Sequence, residues 1–280
     1  MFLPFNLKYV FATLFLKVFC YTFFKSVYMK HHLRIITMNM CSENPGKKAL
    51  LINKWITILG KIKGDILFLQ EIGSYNLEKL THALDLKLLN INNGEATCVL
   101  INPHKLTIID NNHVKVKSTL KPIYIGGIHL DDVPSIPHHL SHMSYKSSET
   151  LPLSYSLNRL LKLCAKRRLP RIKAEMEELN KNDRAIIAGD FNEPSHLDLT
   201  DVKLPISKEF LKHGFIDSYR FMNGKEPGYT WPAGSFYQKE PVQRVDIIYT
   251  KNLKIVASDV YDEGPKWLSD HRMVVTDIVI

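Results

Sequence analysis

Cysteine is scarce in this 280-residue sequence: there are four, Cys20, Cys41, Cys98 and Cys164, far apart and without a CxxC pair or a zinc-ligand spacing. No disulfide framework or zinc site is implied, and the thiols are expected to be mostly buried, which favours a reducing compartment. No internal repeat occurs, and no linker separates two domains. No apolar run reaches the roughly 20 residues that a membrane-spanning helix needs. Acidic residues are missing altogether from residues 1–32, which carry Lys8, Lys17, Lys25 and Lys30. The formal charge of +9 therefore overstates the basicity of the remainder, where 33 basic residues stand against 28 acidic ones. A body so mildly basic is not a nucleic-acid signature by composition.

What is present first is an aromatic N-terminal run, YVFATLFLKVFCYTFF (residues 9–24), bracketed by Lys8 and Lys25. Three readings stay open for residues 1–32. A signal peptide suits the basic start, although no small-x-small cleavage site follows. An anchor lying in the membrane interface suits the mix of lysines and aromatics, with residues 1–28 making the contact. A dispensable extension is the third, with Met29 as the true start. Export or membrane association follows from the first two, a cytoplasmic location from the third.

From Leu33 onward short β-like runs alternate with helical or loop segments. Strands are predicted at 33–38, 65–70, 96–101, 122–129, 184–189, 245–250 and 272–279. Residues 47–62 place Leu50, Leu51, Trp55, Ile58, Leu59 and Ile62 at helical spacing. Residues 131–152, rich in Pro, His and Ser, read as an ordered functional loop or insertion. A basic helical stretch over 156–181 carries an apolar stripe of Leu157, Leu160, Leu161 and Cys164, and Pro170 is expected to break or kink it. Its seven Lys and Arg between Arg159 and Lys173 read as a solvated face.

Several apolar runs end in a residue able to bind a metal or a phosphate. Asn39 follows LRIITM, Glu71 follows DILFLQ, His129 closes IYIGGI, and Asp190 and Asn192 follow AIIAG. Asp246 opens DIIYT, and Asp270 and His271 precede the last strand. Singly, each has an ordinary explanation: an exit to solvent, a core histidine, an Asx-turn. Strand ends along one edge of a sheet converge, however, so in order they can form one polar cluster. Carboxylates are hard oxygen ligands suited to Mg²⁺ or Mn²⁺, and a histidine beside a carboxylate can bind phosphoryl oxygens or move a proton. In GDFN, strand alternation is expected to put Asp190 and Asn192 on one side, and Gly189 lets the backbone come close. Hydrolysis of a phosphate ester is the chemistry such a set supports.

The ordered motifs TMNMCSENPG, LFLQEI, GIHLDD, AGDFNEPS, GYTWP, QRVDIIYT and LSDHRMVV closely resemble the endonuclease/exonuclease/phosphatase superfamily, related to deoxyribonuclease I. The resemblance covers residues 33–280, which it implies to be one catalytic domain, and is nearest to metal-dependent hydrolases of the group that have no assigned substrate. It implies a four-layer α/β/β/α sandwich of two mainly antiparallel sheets. Carried over position by position, it makes Glu71 the principal Mg²⁺ ligand, with Asn39 beside it and Asp270 touching a metal or supporting the site. His129 would contact the phosphate, Asp190 would orient the nucleophilic water and Asn192 would bind a phosphoryl oxygen. His271 would face the scissile phosphate, held by Asp246. His196 and Asp198, just past GDFN, are candidates to shape substrate choice, whereas His138, His139 and His142 read as surface histidines.

The reading is thus a Mg²⁺- or Mn²⁺-dependent phosphoesterase, expected to be a monomer. A nuclease acting on DNA or RNA and a phospholipid-directed phosphodiesterase are alternatives within that class. A catalytically silent binding module lies outside it, and the intact set of site residues speaks against it.

Overall fold

Side-chain alternation along the strands builds this architecture. A computed structural model describes residues 32–40, 48–92, 96–117, 119–145, 149–181, 183–233, 239–262 and 268–280. The apolar N-terminal run, Cys20 and Cys41 lie outside these residues.

The first sheet holds β1 (His32–Asn39), β2 (Ile66–Gln70), β3 (Lys87–Asn92), β4 (Thr97–Ile101), β11 (Lys254–Tyr261) and β12 (Met273–Val279), in the order β11-β12-β1-β2-β4-β3. The second holds β5 (Leu106–Ile108), β6 (His113–Val116), β7 (Ile123–His129), β8 (Arg184–Asp190), β9 (Ile216–Asp217) and β10 (Asp246–Lys251), in the order β5-β6-β7-β8-β10-β9. Each sheet has one parallel pair, β1 with β2 and β7 with β8, and is otherwise antiparallel.

Leu33, Ile35, Ile66, Phe68, Val99, Ile101, Ile123, Ile125, Ile186, Ala188 and Ile248 form one buried layer between the sheets. Each Val, Leu, Ile or Phe buried there contributes about 1.5–3 kcal/mol, so this layer is the main hold of one sheet on the other. The alternate residues face outward. Ile36, Met38, Leu67, Leu69, Cys98 and Leu100 pack against α1 (Lys48–Ile62) and α2 (Ser74–Leu84) through Ile52, Trp55, Leu59, Leu77 and Leu80. Tyr124, Ile128, Ile187, Ile247 and Tyr249 do the same beneath α4 (Leu157–Glu177) and α5 (Pro205–Lys212). The result is the four-layer α/β/β/α sandwich. The described residues also hold two shorter helices, α3 (Ile136–Leu140) in the 131–152 segment and α6 (Ser218–Asn223).

The predicted strands match β1, β2, β4, β7, β8, β10 and β12, most bounds differing by one residue. β3, β5, β6, β9 and β11 were not anticipated, because they are short or lie half-exposed at sheet edges and lack an unbroken apolar run. Two expectations for the basic stretch are corrected. The expected break at Pro170 does not occur: helix α4 is continuous through it and packed on both sides of it. Nor is its basic face wholly solvated: Arg168 is 1% exposed and its Nη1 lies 3.2 Å from Glu193 Oε2, because the guanidinium also satisfies the carbonyls of Asp131 and Pro134. The stripe of Leu157, Leu160, Leu161 and Cys164 packs as expected, against Ile136, Val202 and Leu204. Cys98 and Cys164 are free and buried. Among the described residues no helix is long and apolar enough to cross a membrane.

Candidate active site

The register that fills the inner layer with apolar side chains continues into polar ones at one end of the sandwich. On β1 the inward positions run Leu33, Ile35, Thr37, Asn39; on β2, Ile66, Phe68, Gln70; on β8, Ile186, Ala188, Asp190. His129, Asp190 and Asp246 stand side by side across β7, β8 and β10. The two sheets therefore bring their polar ends together over the inner core.

Asp190 is the centre of that cluster and is 1% exposed. Asn39 Nδ2 donates to Asp190 Oδ2 at 3.1 Å and to Glu71 Oε1 at 2.9 Å, joining the two sheets. His129 Nε2 lies 3.7 Å from Glu71 Oε1 and 3.9 Å from Asp190 Oδ2. His271 Nε2 approaches Asp190 Oδ2 at 3.8 Å, while its Nδ1 bonds Asp246 Oδ2 at 2.9 Å. Burial works against the His271 imidazolium, but Asp246, Asp190 and Asp270 outweigh it and raise its pKa to about 10. Burial in turn pushes the Asp246 carboxyl up, and we place the shared proton on the imidazole.

The backbone is bent to serve this cluster. Glu71 and Asn192 have φ of 57° and 48°, in the left-handed region that side chains with a Cβ seldom adopt. At Glu71 a hydrogen bond from its N–H to Ala96 O holds the bend. At Asn192 the expected alternation is corrected: the strand stops at Asp190, and Asn192 N donates to Asp190 Oδ1 at 2.8 Å in an Asx-type turn. That turn locks the acid, and Asn192 Nδ2 donates to Leu130 O at 2.9 Å. Gly189 is required where it stands: with φ of 154°, a Cβ there would lie 1.8 Å from Ile128 O on the neighbouring strand.

Asp270 joins from the other side. Its Oδ2 accepts from Trp231 Nε1 at 3.0 Å, and its backbone carbonyl accepts from Ala233 N. Supporting residues that no sequence expectation had assigned a part complete the frame. Thr230 Oγ1 accepts from the N–H groups of Val245 and Asp246. Ser269 Oγ donates to Asn39 O and accepts from His271 N, tying the approach to β12 to the end of β1. The GYTWP and SDH motifs hold these residues, but nothing in a hydroxyl's sequence position tells which backbone it will cap.

His196 and Asp198 do not join the cluster's hydrogen bonds. His196 Nδ1 lies 2.7 Å from Ser207 Oγ, and Asp198 pairs with Arg220 and Arg244, the latter also bound to Asp217. Asp198 thus ties the segment after GDFN to Arg244, in the chain before β10, and to Arg220 on α6. The surface reading of the three loop histidines holds for His142, which is exposed; His139 is half-buried. It is overturned for His138, which is fully buried because both ring nitrogens have partners, Ser135 Oγ and Glu240 Oε2, each at 2.6 Å.

Residues 36–271 match the sequence model of the Endonuclease/Exonuclease/phosphatase family. The chain belongs to this family. Its members hydrolyse phosphoester bonds, and they generally depend on divalent metal. An uncharacterised protein of Caenorhabditis elegans is 26% identical over 149 residues, 46% of this chain and 47% of that protein, so the match spans about half of the curated relative. Among solved family structures, that from Bacteroides vulgatus superposes with a TM-score of 0.65 at 15% identity, covering 89% of this chain and 99% of the other. A conserved protein of unknown function from Enterococcus faecalis gives 0.64 at 14% identity, over 88% and 99% of the two chains. D. rerio TDP2 complexed with a single-strand DNA product gives 0.61 at 16% identity, over 89% and 99%.

Proposed function

We propose that this family member is a Mg²⁺- or Mn²⁺-dependent phosphoester hydrolase in which Glu71, Asp190, Asp246 and Asp270 provide the metal-facing oxygens and His129 and His271 attend the phosphate. The observation that carries this reading is the convergence of Asn39, His129 and His271 on Asp190, all within 3.9 Å of its Oδ2.

The residues suit a hard divalent ion. Carboxylate oxygens dominate the cluster, and among the described residues no thiol joins them. Asp190 and Asp246 each offer a carboxylate oxygen within 4.8 Å of the other, beside the His271 ring. Asp246 Oδ1 and Asp270 Oδ1 are buried without a hydrogen-bond partner, a cost of about 1–3 kcal/mol each that a cation offsets. Asn39, presenting its Nδ2 to Glu71 and Asp190, orients these carboxylates. When bound, the ion would neutralise phosphate charge and make water a better nucleophile.

The protein groups then divide the work. Asp190, fixed by Asn39 and by the Asn192 N–H, orients the attacking water and accepts its proton. His271, kept charged and in one orientation by Asp246, stabilises the extra negative charge on phosphorus with Nε2. His129, between Glu71 and Asp190, faces the phosphate or leaving oxygen. Asn192 Nδ2 gives one hydrogen to Leu130 O and has a second for a phosphoryl oxygen.

Purified full-length protein with Mg²⁺ or Mn²⁺, assayed on plasmid, abasic oligonucleotide, inositol phosphates, sphingomyelin and a generic phosphodiester, tests the reading. Turnover that EDTA removes and added metal restores is expected; a folded protein inert on the whole panel with either metal would sink it. The likeness to TDP2 with bound single-strand DNA supports nucleic acid as one substrate class. In that case affinity falls steeply with salt as phosphate contacts release counterions, whereas sphingomyelin turnover points to the lipid class.

A further inference from the structure

The 131–152 segment reaches the site through a histidine that the reaction itself does not use. His138, on α3, is 0% exposed and hydrogen-bonded at both ring nitrogens, to Ser135 and Glu240. One neutral tautomer satisfies both contacts: the Ser135 hydroxyl donates to Nδ1, and Nε2–H donates to the Glu240 carboxylate. Burial, working against Glu240, lowers the His138 pKa and favours that neutral ring.

The imidazole also lies within an aromatic layer. Its ring centroid is 4.6 Å from that of Tyr145 and 5.7 Å from that of Trp231, and Tyr145 meets Trp231 edge-on at 6.5 Å. Glu240 belongs to the segment that locks Trp231 from behind, where Gln243 and Trp231 exchange backbone hydrogen bonds of 2.7 and 2.9 Å. His138 thus contacts both the ring of Trp231 and, through Glu240, the segment that pairs with its backbone. At the far side of the indole, Nε1 donates to Asp270 Oδ2, while Asp270 Oδ1 is buried without a hydrogen-bond partner. A carboxylate held by one oxygen has the direction of its other oxygen set by that bond.

We propose that His138 is a positioning residue of the active site: clamped by Ser135 and Glu240, it packs Trp231 so that the indole N–H holds the Asp270 carboxylate toward the metal. The inference rests on the metal-dependent reading above and assigns the inserted segment a part in building the site. Removing an outer partner of a metal-facing group typically costs about 10–100-fold in metal affinity. A residue that only fills space lowers stability and leaves that affinity alone.

The test is Mn²⁺ binding to the full chain by titration calorimetry, with thermal unfolding recorded for each variant. His138→Ala and Trp231→Phe should each weaken Mn²⁺ binding about 10-fold or more. The double variant should be no weaker than the worse single one, because both act along one line of contacts. His138→Gln, which keeps a donor for Glu240, should recover most of the affinity. A folded His138→Ala protein that binds Mn²⁺ as tightly as wild type overturns the proposal. If that variant does not fold, Glu240→Ala carries the comparison: weakened binding supports the proposal and unchanged binding overturns it. Wild-type protein that binds no Mn²⁺ removes the metal-dependent reading and this inference together; wild-type binding that is indifferent to these variants removes this inference alone.

Discussion

His271 Nδ1 lies 2.9 Å from Asp246 Oδ2, and the two residues come from opposite sheets, His271 at the approach to β12 and Asp246 at the start of β10. The bond therefore reports on the sandwich as well as on the chemistry. With its pKa raised to about 10, His271 is charged throughout the neutral range. Activity should fall on the alkaline side as the imidazolium is lost, and a bound divalent cation should move that limb to lower pH. The contribution of the pair to stability has the same sign. It is whole below the ordinary value of 6.5 and disappears as pH rises through about 10. In Asp246→Asn, His271 should titrate nearer its ordinary value by NMR and kcat should drop about 100-fold or more. An unchanged titration would refute the pairing as the cause.

Asp190→Asn should remove hydrolysis and leave the protein folded, since the amide keeps the shape and the bond from Asn192 N, although the loss of the Asn39 bond lowers the melting temperature. Glu71→Gln should instead weaken the metal, moving the Mg²⁺ concentration for half-activity up by about 10-fold or more. His271→Ala should be inactive and folded. Steady-state kinetics across a Mg²⁺ series, beside circular dichroism, separates the three; retained turnover in Asp190→Asn contradicts its role.

Arg168 and Glu193 are each 1% exposed, and burial pushes the Glu193 carboxyl upward despite the guanidinium beside it. Arg168→Met should cost about 3–5 kcal/mol in denaturant unfolding, because it strands a buried carboxylate. Adding Glu193→Gln, whose carbonyl can still accept from Ile206 N, should restore part of that loss. Equal stability of the single and double variants would show that the charge is not the cause.

Gly189→Ala should destabilise the protein by at least about 1–3 kcal/mol and reduce kcat as well. The added Cβ must push Ile128 O away, and His129 and Asp190 follow directly on those two residues in paired register. Stability that falls with kcat untouched would mean that the strand pair yields without moving the site.

Much of this was legible along the chain because it follows from period and order. LRIITM, DILFLQ and AIIAG are apolar on both faces, and such runs mark central strands buried from two sides. Their polar ends read as one cluster along the chain, and Asn39, Glu71, His129, Asp190, Asp246 and His271 do gather there, with the Asp270 carboxylate held by Trp231. Edge strands such as KLLNIN and KIVASDVY carry no comparable signal, since one face is wet and the pattern dissolves into the loops around them.

Asn192 and His138 mark the boundary between the two kinds of information. Alternation could place Asn192 only if the strand continued; a single left-handed residue ended it, and local hydrogen bonds decided that turn. His138 sits in a segment whose composition reads as surface, and it is buried because Glu240, 102 residues later, reaches its Nε2. The sequence alone determined the inner and outer faces of the main strands and the order of the polar residues at their ends. Tertiary structure alone decided which donor meets which carboxylate, which arginine is buried and which aromatic rings pack around His138. Periodicity is a property of neighbours in the chain, whereas a hydrogen bond across the sandwich exists only once two sheets have closed over a common core.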